Sequence, residues 1–180
     1  QLPGVQHVAG GVRTRAFVKS AHRQFFTQLR GVEPALAGIH GWEWLGGRFG
    51  GGASEAVMGR AASRELFGEG FDPVGERITI GERAFVVSGY FRTNDSDMDE
   101  TVFVTLADGQ AMLNLRHLHT VTVSVEQAGD ASRVADAAAA DLDGRSRTAA
   151  ATTGAAIIIV VARAAGLCRV ARLVAVAASV

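Results

Sequence analysis

Asp72-Pro73-Val74-Gly75-Glu76-Arg77-Ile78-Thr79-Ile80-Gly81-Glu82-Arg83-Ala84-Phe85-Val86-Val87-Ser88-Gly89-Tyr90-Phe91-Arg92 is the stretch whose pattern decides the fold. Pro73 presets its own φ and Gly75 tolerates a positive one, so Asp72 to Gly75 reads as a turn. Glu76 to Ile80 then alternates, with Ile78 and Ile80 on one face, as a strand requires. Gly81-Glu82 fits a two-residue hairpin turn, because glycine accepts the positive φ needed at its first position. Arg83 to Arg92 returns with Phe85, Val87 and Phe91 on one side. The stretch is therefore an antiparallel hairpin.

Working upstream, Arg60 to Phe67 has helical composition and Gly68 supplies a stop. Ala56 to Gly59 reads as a short buried strand. Residues 38 to 54 are glycine-dense and read as a loop or irregular crossover, with Trp42 and Trp44 near its start. Gly31 to Pro34 reads as a turn. Residues 1 to 31 read as extended segments: one up to a break at Gly10-Gly11, one over Val12 to Lys19, and one over Arg23 to Arg30. Downstream, Thr93 to Glu100 reads as a solvated loop, Val102 to Leu106 as a strand and Ala107 to Leu115 as a short helix. Thr120 to Gln127 is an alternating strand, and Asp130 to Leu142 a capped helix. Strands, helix, hairpin, strand, helix, strand, helix give an α+β fold: a mixed, largely antiparallel sheet with a few packed helices and room for two small lobes.

Composition narrows the function. The 180 residues carry 18 basic and 18 acidic side chains, for a formal net charge of zero. Nucleic acid as a principal partner would need a basic surplus. Cys168 is the single cysteine, which excludes an internal disulfide or a multi-cysteine zinc site. The arginine-rich, glycine-rich usage is that of a GC-rich genome. The chain starts at Gln1 and shows no signal-peptide pattern, so it reads as a processed or excised piece. Residues 148–162 lack charge, but Arg163, Arg169 and Arg172 follow. Each arginine would cost about 2.5–3.5 kcal/mol at the centre of a bilayer. The tail thus reads better as a buried strand around Ile157 to Val161 than as a membrane helix.

Asp95, Asp97, Asp99 and Glu100 resemble the start of a calcium loop, but Glu100 and Leu106 stand where that loop needs Gly and Glu. His117 and His119 would share a strand face and offer two imidazoles to zinc or copper, with no third ligand evident. The Gly46 to Gly52 segment lacks both the P-loop ending and the dinucleotide-binding spacing. Trp42 and Trp44 are candidate partner contacts, able to stack on a sugar or insert into a protein surface. No nucleophile elbow or zinc-protease motif is present. The residues point to no catalysis, no cofactor and no metal.

Residues 54 to 92 resemble the extracytoplasmic (periplasmic) core domain of MacB-type and FtsX/LolC-like ABC transporter permeases. Ser54-Glu55-Ala56-Val57-Met58-Gly59, the Leu66-Phe67-Gly68 ending, Asp72 to Gly81, and Phe85-Val86-Val87-Ser88-Gly89 carry the resemblance. They match the family's "A..LFG…DPVGk.i.i.g..f.VvGv". Leu2-Pro3-Gly4-Val5 and Arg30 to Pro34 look like its upstream landmarks. Thr101 to Leu106 looks like its "vfvPl" strand, with Thr105 in place of Pro. The similarity runs from about residue 2 to 143. It implies that Asp72, Pro73, Gly75, Gly81 and Gly89 are scaffold residues of a non-catalytic domain on the extracytoplasmic side of a cell membrane. The implied partners are a cytoplasmic ABC ATPase reached through flanking transmembrane helices, a second permease in a dimer, and a cargo or accessory protein. Residues 1–145 are expected to form the core domain. Residues 146–180 are expected to be its final strand or a junction toward a transmembrane helix. The competing expectations are a stand-alone ligand- or glycan-binding module using Trp42 and Trp44, and a metal enzyme using His117 and His119.

Overall fold

The computed structural model describes residues 5–116, 118–125, 134, 136–137, 156–164 and 167–176. Two compact units share the chain, one of residues 12–114 and one of residues 1–11 with 115–180.

In the unit of residues 12–114, the strands are the second half of β1 (Val5–Lys19), then β2 (Gln24–Val32), β3 (Glu43–Gly47), β4 (Glu55–Gly59), β5 (Arg77–Ile80), β6 (Arg83–Arg92) and β7 (Val102–Thr105). Their order is β1-β2-β7-β4-β6-β3, and β5 pairs with both β1 and β6. The hydrogen-bonded path β1-β2-β7-β4-β6-β5 thereby closes on itself as a small barrel, leaving β3 at an edge. Closure removes the exposed strand edges that invite aggregation. The sheet is mixed, with β2/β7 and β4/β6 parallel and the β5/β6, β3/β6, β4/β7 and β1/β5 pairs antiparallel.

The barrel's core holds Val18, Leu29, Ala56, Met58, Ile78, Ile80, Phe85, Val87, Val102 and Val104. Helix α2 (Arg60–Phe67) adds Ala62 and Leu66 to it. Each fully buried aliphatic or Phe side chain stabilises by about 1.5–3 kcal/mol relative to exposure. Strand alternation delivers these residues inward: β6 buries Phe85, Val87, Gly89 and Phe91 and leaves Ala84 and Val86 outside. Helix α4 (Leu106–Leu113) lies on β2 and β7. There, a Cβ on Gly31 would meet the Gly109 Cα at 2.8 Å, so helix and strand touch backbone to backbone.

The hairpin, β4, α2 with its Gly68 stop, β7 and α4 form where the sequence places them. Four local readings are corrected. Gly10-Gly11 does not break the first strand: β1 runs through both, pairing Gly10 with Val121 and Gly11 with Thr120. Gly31-Val32 belongs to β2 rather than to a turn, and Pro34 starts α1 (Ala35–His40), a helix the sequence pattern had not announced. The glycine-dense segment contains β3. Within Thr93 to Glu100, the Asp95 carboxylate accepts the Asp97 and Met98 N–H groups and caps a single helical turn, α3 (Ser96–Asp99), which buries Met98.

In the other unit, the first residues of β1 pair antiparallel with β8 (Thr120–Val125). Strand β9 (Ala156–Ala164) runs parallel to β8, and β10 (Leu167–Val176) returns antiparallel to β9. Both faces of β8 are covered, since Thr122 and Ser124 are buried along with Val123 and Val125. The helix expected over 130–142 lies outside the described residues, apart from Val134, Asp136 and Ala137, which are helical.

Candidate partner-contact site

Gly41, at φ 62°, closes α1 with a left-handed residue and turns the chain back, so that the Trp42 N–H donates to the Ala37 carbonyl at 3.0 Å. Trp42 thereby lies flat on Phe91, centroids 3.8 Å apart and planes 2° apart, with Phe103 at 4.7 Å. It is 6 % exposed. Trp44 is half-buried and meets Trp42 and Phe91 edge-on, at 5.9 and 5.8 Å. The structure thus brings both tryptophans together but gives them different roles. Trp42 is a pillar inside an aromatic cluster, and Trp44 faces partly outward from the edge strand β3. Beside it Leu45 is 39 % exposed.

The Glu43 carboxylate on β3 accepts two bonds from Arg92, from Nε and Nη2, both at 2.7 Å. This bidentate bond holds Glu43 below the usual carboxylate range and raises Arg92. Leu45 and Tyr90 also line an open cleft of about 280 Å³ with Arg60, Ser63, Arg64 and Phe71. Edge backbone, half-buried aromatics and a cleft with two guanidinium groups suit contact with a protein segment.

The residues that the resemblance marks as scaffold lie in and just before the β5–β6 hairpin and where β3 meets β6. Asp72 accepts the Val74 N–H at 3.0 Å, and the Pro73 carbonyl accepts from Glu76 at 3.0 Å. Gly75 at φ 89° and Gly81 at φ 61° occupy the left-handed region, and their N–H groups donate to Val87 and Phe17 carbonyls. A Cβ on Gly89 would meet the Arg48 nitrogen at 2.7 Å and Trp44 Cζ3 at 3.0 Å. Gly89 therefore lets β3 lie against β6.

Other candidate groups are engaged in structure. The Gly52 N–H donates to the Glu55 carboxylate and the Ser54 N–H to Asp108, so anionic side chains already fill the glycine loop. Asp99 accepts the Ala61 N–H at the start of α2. Among the described residues, no group of three or more His, Cys, Asp or Glu is placed to hold a metal ion. His117 lies outside the described residues, and the backbone N–H of His119 donates to the Gly11 carbonyl. Thr105, which replaces proline in the resemblance, caps α4: its hydroxyl accepts the Asp108 N–H and donates to the Asp108 carboxylate. Sequence reasoning missed His40 and Arg30. Burial drives the His40 imidazole down to about 4, against a raising influence from Asp95 and with Arg30 adding to the fall. Burial likewise lowers Arg30, opposed by Asp95. A histidine at the end of a six-residue helix gave no sequence signal of burial.

Residues 1–141 match the MacB-like periplasmic core domain. The chain belongs to that family. It is thus the extracytoplasmic kind of domain that MacB-like ABC transporter permeases carry. The fold agrees with solved structures of low sequence identity. The extracellular domain of the noncanonic ABC-type transporter YknZ from Gram-positive bacteria is 17% identical with a TM-score of 0.67, over 79% of this chain and 77% of that one. The periplasmic region of MacB from Actinobacillus actinomycetemcomitans is 13% identical with a TM-score of 0.66, over 81% and 69%. A domain of a putative permease protein from Porphyromonas gingivalis is 16% identical with a TM-score of 0.58, over 81% and 66%. No curated protein matches the chain by sequence. Among the described residues of this MacB-like domain, no helix is long and apolar enough to cross a membrane.

Proposed function

We propose that this MacB-like domain is a non-catalytic module on the extracytoplasmic side of a cell membrane, which engages a cargo or accessory protein and couples that contact to ATP-driven motion of the permease's membrane helices. The family match over residues 1–141 carries the reading. The ATPase would be a separate cytoplasmic domain or subunit, reached through flanking helices, and the permease would work as a dimer. Residues 1–145 form the core domain in this reading. Residues 146–180 supply its last strands in this reading, supported by the pairing of β9 with β8 and of β10 with β9.

Contact is assigned to the β3 edge, with Trp44 and Leu45 as the touching residues and Trp42 as the pillar behind them. Aromatic anchors at an edge strand combine side-chain pockets with free backbone groups. A glycan platform on both tryptophans is disfavoured, because Phe91 already covers a face of Trp42. The test uses the full-length permease in vesicles with its ATPase. Trp44→Ala with Leu45→Ser should reduce substrate-stimulated ATP hydrolysis at least tenfold and leave basal hydrolysis intact. Unchanged stimulation would remove β3 as the contact. A reading frame without flanking transmembrane helices would remove the permease assignment itself.

A further inference from the structure

The outer wall of the barrel carries a second surface, remote in sequence from β3. Phe17 on β1 is 52 % and Phe26 on β2 is 54 % exposed, and their rings touch at 5.0 Å between centroids with planes 51° apart. Paired aromatic rings left half in water beside the turn that joins β1 to β2 are an unusual use of surface. On β1 the exposed positions Arg13, Arg15, Phe17 and Lys19 alternate with Thr14, Ala16 and Val18, so cations flank the ring on its own face.

Charge is segregated here. The chain balances 18 basic against 18 acidic residues, yet Gln1 to Val32 contains Arg13, Arg15, Lys19, Arg23 and Arg30 and no acidic residue at all. The nearest carboxylates come from other elements. Asp97 and Glu100 share a cavity of about 190 Å³ with Arg15 and Phe26. Glu65 and Glu100 line a second, of about 330 Å³, with Phe25, Phe26 and Arg64. Glu82 follows Gly81, whose N–H donates to the Phe17 carbonyl. Asp97, Glu100 and Glu65 thus lie on the Phe26 side of the patch, and its cations stand on the β1 side with Phe17.

We propose that this face docks an acidic, apolar segment of a partner protein, its apolar side chains on Phe17 and Phe26 and its carboxylates toward Arg15 and Lys19. Complementary charge would steer encounter and fix register, while the two rings supply the anchoring contact. A bilayer is the weaker fit. Rings lying against each other on a strand wall do not project as the apolar face of an interfacial helix does. The proposal does not depend on the β3 site.

The experiment titrates the 180-residue chain with two fluorescein-labelled amphipathic peptides, read by anisotropy. Both carry leucine on one face; one has glutamate flanks and the other lysine flanks. The glutamate peptide should bind at least tenfold tighter than the lysine peptide, and added salt should narrow that ratio. Phe17→Ser with Phe26→Ser should weaken it at least tenfold, and Arg15→Glu with Lys19→Glu should reverse the preference. Far-UV circular dichroism checks that both variants, altered only at exposed positions, remain folded. Equal binding of the two peptides would overturn the proposal, as would binding unchanged by the Phe substitutions. Two further outcomes also overturn it: a self-associated species that the Phe variant disperses in sedimentation velocity, which assigns the face to a second copy, and flotation with phosphatidylglycerol vesicles that the Phe variant loses, which assigns it to lipid.

Discussion

Replacing Trp42 separates a structural tryptophan from a contacting one. Its indole is 6 % exposed and stacked at 3.8 Å on Phe91. An aromatic side chain buries about 150–250 Å², which at about 25 cal/mol per Å² is about 4–6 kcal/mol. One feature works against it. The Trp42 Nε1 is buried with no hydrogen-bond partner, and an unsatisfied buried donor costs about 1–3 kcal/mol. Trp42→Ala removes both, so the net loss should be about 3 kcal/mol, a large fraction of a stability of about 5–15 kcal/mol. Trp42→Phe keeps a ring on Phe91 and removes the orphan donor, so it should cost about 1 kcal/mol or less. Urea unfolding followed by far-UV circular dichroism measures both without relying on tryptophan emission. Trp44→Ala, at a half-buried site, should fall between them. If Trp42→Phe proves as damaging as Trp42→Ala, or if Trp44→Ala is the most damaging of the three, the pillar-and-edge division is wrong.

Three further outcomes are expected. His40 is held neutral by burial, with its folded value near 4 against about 6.5 when unfolded. The unfolded chain therefore binds the proton better, so stability should fall by about 3 kcal/mol as pH drops from about 6.5 to 4 and then level off. His40→Gln should flatten that part of the wild-type pH dependence, and NMR titration of the imidazole should give the low value directly. Gly31→Ala or Gly109→Ala would push a methyl into the opposing backbone, at a cost of about 1–3 kcal/mol, readable as a lower urea midpoint with the m-value unchanged. The Arg92–Glu43 pair is exposed, so any stability difference between wild type and Arg92→Met should vanish in high salt. Because Glu43's folded value is lowered, that difference should also be lost as pH falls through its carboxylate range.

The parts of the fold that the sequence announced are those where one local rule suffices. Gly81 permits one turn, and the alternation of Phe85, Val87 and Phe91 admits one strand. The parts it hid are those where glycine has a non-local purpose. Gly10 and Gly11 look like a break, but they sit in a ladder with β8. Gly41 and Gly47, both left-handed, bound β3 so closely that its few residues were lost among glycines. Asp95, Asp97 and Asp99 suggested a solvated loop because their backbone and side-chain partners are invisible to spacing. The tryptophans were visible as candidates, but which one points inward depends on the Gly41 turn and on Phe91, which lies far along the chain. The family emerged from the order of short motifs, none of which is itself a site.

The pairing of β1 with β8 has a consequence for synthesis. Val5 and Gly11 find their partners Val125 and Thr120 some 110–120 residues later. At about 5–20 residues per second, the first residues of β1 wait roughly ten seconds for β8, although the rest of the strand already has β2 beside it. Such long-range closure is slow to fold, and an unpaired strand end is a template for wrong pairing. The interval before β8 emerges is therefore when this chain is most open to aggregation, and when a holding chaperone would matter most.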